Sequence, residues 1–329
     1  PWHSFFVLFL SFFLSVTDVQ KHCIVSGTAD LECHSTPVQR VLDTVQGVLT
    51  GLLTDPSHKD NSTAHREPIS CVKDGPAWHR FFDEPGGGMD GCVPLMHSLE
   101  SGEECHPKAA AVRLQLSRAL SLPYLATSKP DKLSRLFVWN DVLYCRRCNR
   151  SGPVPSSDEL DYEALEELAV WEIMSSWMTT GGGSKSRSHW LAERAGPMLR
   201  RILGHLEDAV EGGKDDSGGA KLMLYGGHDT TVLPLRAILG IAGAGVGFPT
   251  FTSSVTVELY REEHSSGSGG GGGGSEAFVR VLSDHKPVAP FGGACGALVP
   301  WTVFKTLADT VCGMSTATVL KATRPAARM

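Results

Sequence analysis

His228 and Asp229 stand side by side after two glycines, in the run Lys221 to Leu239, with Thr230 and Thr231 behind them. Either side chain can exchange a proton, an imidazole can also bond an anion, and their place in the chain decides which chemistry is open to them. Leu222 to Tyr225 are four apolar residues in a row, the pattern of a strand covered on both faces. Gly226 and Gly227 then let the chain turn sharply, and Val232, Leu235, Ile238 and Leu239 repeat at helical spacing. The pair is thereby expected at the carboxyl end of a parallel strand and at a helix N-terminus, where open α/β sheets bind ligands and free backbone N–H groups face an anion. Asp and Thr are also ordinary helix caps, so a purely structural role fits the same position.

A second element opens at His34. Thr36 reads as an N-cap, Pro37 as the first helical residue and Gln39 as the partner that closes a capping box. Val38, Val41, Leu42, Val45, Leu49 and Leu52 form one apolar stripe, and the helix is expected to end near Gly51.

The His-Asp run with its Thr-rich helix start resembles a signature of the histidine acid phosphatases. Val255 to Tyr260 is similar to the Glu-Leu-Tyr strand that follows in the acid and lysophosphatidic acid phosphatase branch, and Phe278 to Val281 to the next strand. His34 to Arg40 resembles that family's Arg-Ser-Thr…Arg helix. The resemblance implies an α/β sandwich like that of phosphoglycerate mutase, with a mostly helical cap inserted. It implies Asp229 as general acid, His228 as phosphate ligand, and Arg40 and His34 at the substrate-binding positions of the helix. His34 replaces the family's first arginine. An imidazole is charged only below a pKa near 6.5 and lacks the forked guanidinium, so it is a poor substitute. The family's Arg-His-Gly nucleophile motif occurs nowhere in the chain, and His65-Arg66 and His79-Arg80 lack the glycine and follow the helix.

Phe5 to Val16 is nearly unbroken in apolar character, about a dozen residues where a bilayer span needs roughly 18 to 20. Three accounts fit it: a partial or misjoined sequence that replaces the first core strand, a clipped signal or anchor, and a core helix. The expectation is a non-homologous hydrophobic segment over 1–33 with the first core strand missing. A partial phosphatase core then occupies 34–55 and 190–329, and the cap occupies 56–189. Residues 56 to 156 read as largely irregular, with short apolar pieces at Leu136 to Trp139 and Val142 to Tyr144. Helices are expected over Asp158 to Met178 and Pro197 to Glu211. Gly181 to Ser186 lacks the glycine before lysine that a phosphate loop needs, and Ser265 to Ser275 reads as an expanded hairpin loop.

The 329 residues, 41% hydrophobic, can hold a sizeable core. A net charge of −6 without a basic stripe argues against nucleic-acid binding. Nine cysteines are odd in number and many for a cytosolic enzyme; they favour a secretory, endomembrane or organellar setting and make disulfides plausible. Cys145-x-x-Cys148 has no second pair at zinc spacing and fits a local disulfide or two thiols. Asn61 and Asn149 open glycosylation sequons. Neither metal nor cofactor is expected. The expected ligand is a small phosphate monoester, a lysophospholipid among the candidates, with membrane association left open. Two functions follow: an acid phosphatase acting through a phosphohistidine, of which this chain is a little-active fragment, or a non-catalytic phosphatase-like binding or structural protein.

Overall fold

The computed structural model describes residues 3–11, 31–35, 39–53, 72–73, 108–126, 135–179, 191–192, 195–211, 221–241, 247–250, 253–261, 276–293 and 298–313. In chain order the longer elements are β1 (His3–Ser11), β2 (Leu31–Ser35), α1 (Gln39–Leu53), β3 (Val72–Lys73), α2 (Ala109–Leu120), α3 (Leu136–Asn149), α4 (Tyr162–Thr179) and α5 (Gly196–Glu211). They continue with β4 (Leu222–Gly226), α6 (Asp229–Ile238), β5 (Ser253–Arg261), β6 (Ala277–Ser283), β7 (Lys286–Val288), β8 (Val299–Pro300) and α7 (Trp301–Gly313). They fall into two compact units, one of residues 1–82, 191–244 and 249–329, the other of residues 83–190 and 245–248.

The first unit is built on a mixed sheet in the order β3-β2-β4-β1-β5-β6-β7, with β8 beside β6. β3, β2, β4 and β1 run parallel, and β5 to β8 join antiparallel. Leu222 to Tyr225 are all at most 5% exposed, as the unbroken apolar run requires of a strand covered on both faces. On one face Met223, Tyr225, Val255, Val257 and Val279 share a core with α5, α6 and α7. On the other, α1 lays Val41 and Val45 against the end of β4.

β1 is the main correction to the sequence reading. Residues His3–Ser11 of the apolar N-terminal segment, for which a partial sequence, a clipped signal or anchor and a core helix were the expected accounts, form a strand between β4 and β5, pairing Phe6 to Leu10 with Leu222 to Gly226. A short uninterrupted apolar run carries no period, so strand, helix and signal core look alike until partners on both edges choose the strand. β2 likewise begins before His34, at Leu31.

α1 keeps the expected stripe with one exchange. Val41, Val45, Val48 and Leu49 are buried, whereas Leu42 is only partly covered. Thr36 to Val38, with their capping box and proline, lie outside the described residues, as do His65-Arg66, His79-Arg80, Asn61, the Gly181 to Ser186 run and the glycine tract. β5 and β6 are the two strands read from the sequence, paired in antiparallel register.

In the second unit α4 is the helix expected at Asp158 to Met178. The neighbouring stretch is more helical than its composition suggested, since α2 and α3 both lie in the part read as irregular. The apolar pieces at 136–139 and 142–144 are one helix: Leu136 and Leu143, two turns apart, are each 1% exposed, and Asn140 and Asp141 only interrupt the other faces. Leu116, Leu125, Leu136, Leu143, Leu165 and Leu168 share one core. Cys145 and Cys148 in α3, with Cys33 and Cys312, carry thiols; the other cysteines lie outside the described residues. Asn149 is the exposed last residue of α3. Among the described residues no helix is long and apolar enough to cross a membrane.

Candidate active site at the strand ends

β4 delivers its chain directly into α6. A methyl group on Gly226 would lie 2.4 Å from Val45 Cγ2 and 2.9 Å from Val41 Cγ1, and one on Gly227 would lie 2.8 Å from Thr231 Oγ1. Neither glycine has a positive φ among the described backbone angles, so close approach, and not a left-handed turn, demands them. His228 is the N-cap, with extended backbone angles of −122° and 172°. Its N–H donates to Thr231 Oγ1 at 3.1 Å, and its carbonyl accepts from the Thr231 and Val232 N–H groups at 2.9 and 3.0 Å. Asp229 therefore occupies the first position inside the helix rather than the cap. An acidic side chain is common in the first turn of a helix, where backbone N–H groups lack intrahelical partners.

The far end of α6 is tied down by charge. Arg236, 2% exposed, donates from Nη2 to Asp284 Oδ1 at 2.7 Å, and the same oxygen accepts the Ser254 N–H at 2.8 Å. Burial pulls the Arg236 pKa down, and Asp284 works against that shift. α6 is thus fixed to the start of β5 and to the turn between β6 and β7.

Beside β4, β2 ends at the same level, His34 opposite Tyr225 and Ser35 opposite Gly226. His34 is 3% exposed and its ring stacks on Tyr225 with centroids 5.1 Å apart. Its Nε2 contacts Glu32 Oε1. Arg201 Nη2 of α5 stands 3.1 Å from its Nδ1 and 3.0 Å from its Nε2. The Arg201 guanidinium lies over the Tyr225 ring at 5.6 Å and 3.8 Å from the Glu32 carboxylate. His205, one turn along α5, tilts against Tyr225 at 6.5 Å. Its Nε2 is buried without a hydrogen-bond partner, and burial pushes its pKa down. His34 is therefore built into a polar cluster against α5. Arg40 falls in the first turn of α1, its side chain outside the described residues.

Glu32, Arg201, His205 and Tyr225 were not singled out from the sequence. A partial signal was there: Glu32 and His34 are two apart on a strand, and Arg201 and His205 four apart on a helix, so each pair shares a face. That the two faces meet is not written in either spacing. The Glu-Leu-Tyr segment forms a further cluster, where Tyr260 donates to Glu258 at 2.8 Å and Arg280 reaches both residues. Burial and the neighbouring carboxylate push the Tyr260 pKa well up, so its hydroxyl stays a donor. Among the described residues no group of three His, Cys, Asp or Glu side chains could hold a metal ion.

A mixed sheet with helices on its faces, and His-Asp where a strand enters a helix N-terminus, defines an α/β protein of the class in which ligands commonly bind at the carboxyl ends of the parallel strands. The chain belongs to the histidine phosphatase superfamily, branch 2, matching it over residues 21–284. A curated relative, lysophosphatidic acid phosphatase type 6 of Mus musculus, is 32% identical over 97 residues, which make up 30% of this chain and 21% of that protein. Among solved structures, the phytase of Klebsiella sp ASR1 superposes with a TM-score of 0.52 at 12% identity, over 95% of this chain and 96% of that one. The multiple inositol polyphosphate phosphatase of Bifidobacterium longum does so with 0.52 at 12%, over 89% and 76%. At that identity the superpositions speak for the fold alone.

Proposed function

We propose that the crevice at the ends of β2 and β4 binds small phosphate monoesters in the manner of an acid phosphatase, with His228 on the phosphoryl group and Asp229 donating a proton to the departing alkoxide. The observation that carries this reading is the position of Asp229. The N-cap is filled by His228, whose N–H is taken by the Thr231 hydroxyl, so Asp229 follows the turn that places His228 at the strand end and is not its cap. The 32% identical relative is named for lysophosphatidic acid, and this favours a lysophospholipid monoester over an inositol phosphate.

Turnover through a phosphohistidine needs a nucleophile, and none of the 329 residues forms the Arg-His-Gly motif. β1 reaches the level of Gly226 at Leu10 and ends at Ser11, where neither a histidine nor an arginine stands. Covalent catalysis and charge neutralisation each lower a phosphoryl-transfer barrier by several kcal/mol. We therefore infer that this chain binds phosphate esters and hydrolyses them very slowly. The test is direct: titrate the purified chain with inorganic phosphate by calorimetry, and assay p-nitrophenyl phosphate near pH 5 against a boiled control. Saturable binding that His228→Ala removes, with negligible turnover, is the expected result. Robust turnover overturns the binding-only reading, and absence of phosphate binding overturns the site.

A further inference from the structure

We propose that Cys145 and Cys148 of α3 are a modification site, closed reversibly to a local disulfide by small acidic disulfides; this does not rest on the phosphate reading. Both cysteines carry thiols and stand three residues apart in the last two turns of α3, so they share one face of the helix. Helix geometry sets their Cα atoms about 5 Å apart, within the span of a disulfide. Their Cβ atoms start about 5 to 6 Å apart, where the bond needs about 3.8 Å, so the turn must tighten as it closes. The pair sits where tightening is easiest. Arg150 follows Cys148 closely as the left-handed cap, and its N–H and that of Ser151 both bond the Arg146 carbonyl in the tight pattern of a helix end.

The two sulfurs are not equivalent. Cys148 is exposed, whereas Cys145 is partly covered. Burial, then Asp141 and Cys148 itself, push the Cys145 thiol up, so it ionises less readily than an ordinary thiol. An incoming disulfide RSSR therefore meets Cys148 first, whose thiolate attacks one sulfur, forms Cys148–S–SR and releases RS⁻. Capping Cys148 removes the charge that opposed ionisation of Cys145. The Cys145 thiolate then attacks Cys148 Sγ, forms the Cys145–Cys148 bond and releases the second RS⁻. Two thiols lose two electrons and two protons, and RSSR becomes two RSH. Arg146 donates to the Pro153 carbonyl at 3.2 Å and Arg147 lies 4.8 Å from the Tyr162 ring centre, so two guanidinium charges between the cysteines attract an acidic disulfide. A tightened turn strains the bond, which makes it a labile disulfide and not a permanent staple.

The test uses the full chain, purified under reducing conditions and exposed to oxidised glutathione at neutral pH. Remaining thiols are blocked with N-ethylmaleimide, the sample is reduced, and the thiols then freed are labelled with iodoacetamide and mapped by mass spectrometry. Cys145 and Cys148 should take the second label together and to the same extent, and should lose it when excess reduced glutathione is added before blocking. Cys145→Ser should trap Cys148 as a lasting glutathione adduct, whereas Cys145 in Cys148→Ser should react at least about 10-fold more slowly. Equal rates in the two variants overturn the assigned order of attack. A lasting glutathione adduct on the unmutated chain at Cys148 overturns the pairing, as does a bond from either residue to another of the nine cysteines. Two thiols that oxidised glutathione leaves untouched in the folded chain sink the proposal, and so does a bond that excess reduced glutathione cannot open.

Discussion

β2 and β4 lie next to each other and stop at the same level, yet they finish by opposite means. β4 ends on Gly226 and Gly227, where α1 and Thr231 come so close that any side chain would collide. β2 ends on His34, stacked on Tyr225 and held between Glu32 and Arg201. The first junction is made by shape and is intolerant of one added carbon. The second is made by charge and polar contacts among side chains of β2, β4 and α5. The turn that presents His228 and Asp229 thus rests on a rigid side and on a polar side.

Adding a carbon to the shape-based junction should have the largest effect. Gly226→Ala places its methyl against Val45 and Val41, and overpacking of that kind costs about 3 kcal/mol. Urea unfolding should show it, and Val45→Ala in the same chain should recover part of the loss; a cost below about 0.5 kcal/mol would mean α1 can retreat and the junction is not rigid.

The far end of α6 extends the comparison, because charge holds it as charge holds β2. Asp284→Ala leaves the Arg236 guanidinium buried beside a missing partner and frees the Ser254 N–H, which should cost about 2 kcal/mol in the same assay. His34→Phe keeps a ring on Tyr225 while removing the polar contacts to Glu32 and Arg201, and should cost about 1 kcal/mol. If His34→Phe cost as much as Gly226→Ala, the two junctions would not differ in kind.

His205 sets the pH response of the polar side. Burial lowers its folded pKa, so the folded chain binds the proton less readily than the unfolded one. Its contribution is complete above the unfolded value near 6.5 and is lost as pH falls through that value toward the lower folded pKa. Arg201 and His34 oppose its protonation, while Glu32 and Asp208 favour it, and burial outweighs them all. Stability measured from pH 7 to pH 5 should fall less steeply in His205→Gln; equal slopes would place the acid sensitivity elsewhere.

The smallest expected change in stability is at Asp229. Since Asp229 is not the N-cap, Asp229→Asn should move the unfolding free energy by less than about 0.5 kcal/mol, read from the same urea curves. A larger loss would make Asp229 a structural cap after all and weaken its candidacy as a proton donor.

The two sides of the turn were not equally readable. An apolar run, two glycines and a helical stripe left one arrangement for β4 and α6, because each feature is local and they agree. The β2 side was legible only as a helix start and a histidine out of place. Its partners come from α5, more than 160 residues further along, and from β4, so no window of sequence contains the cluster.

What the sequence determined by itself was the set of local units: the β4–α6 turn, the β5–β6 pair, the amphipathic faces of α1 and α5, and the family to which they belong. What only the tertiary structure decided was partnership. β1 is a strand because β4 and β5 offer it two edges, which an unbroken apolar run cannot announce. Gly226 must be glycine because of two valines on another helix, and His34 is buried because Arg201, Glu32 and Tyr225 satisfy it. Periodicity records which side of an element is apolar, whereas the identity of the group across the gap depends on contacts between residues far apart in the chain.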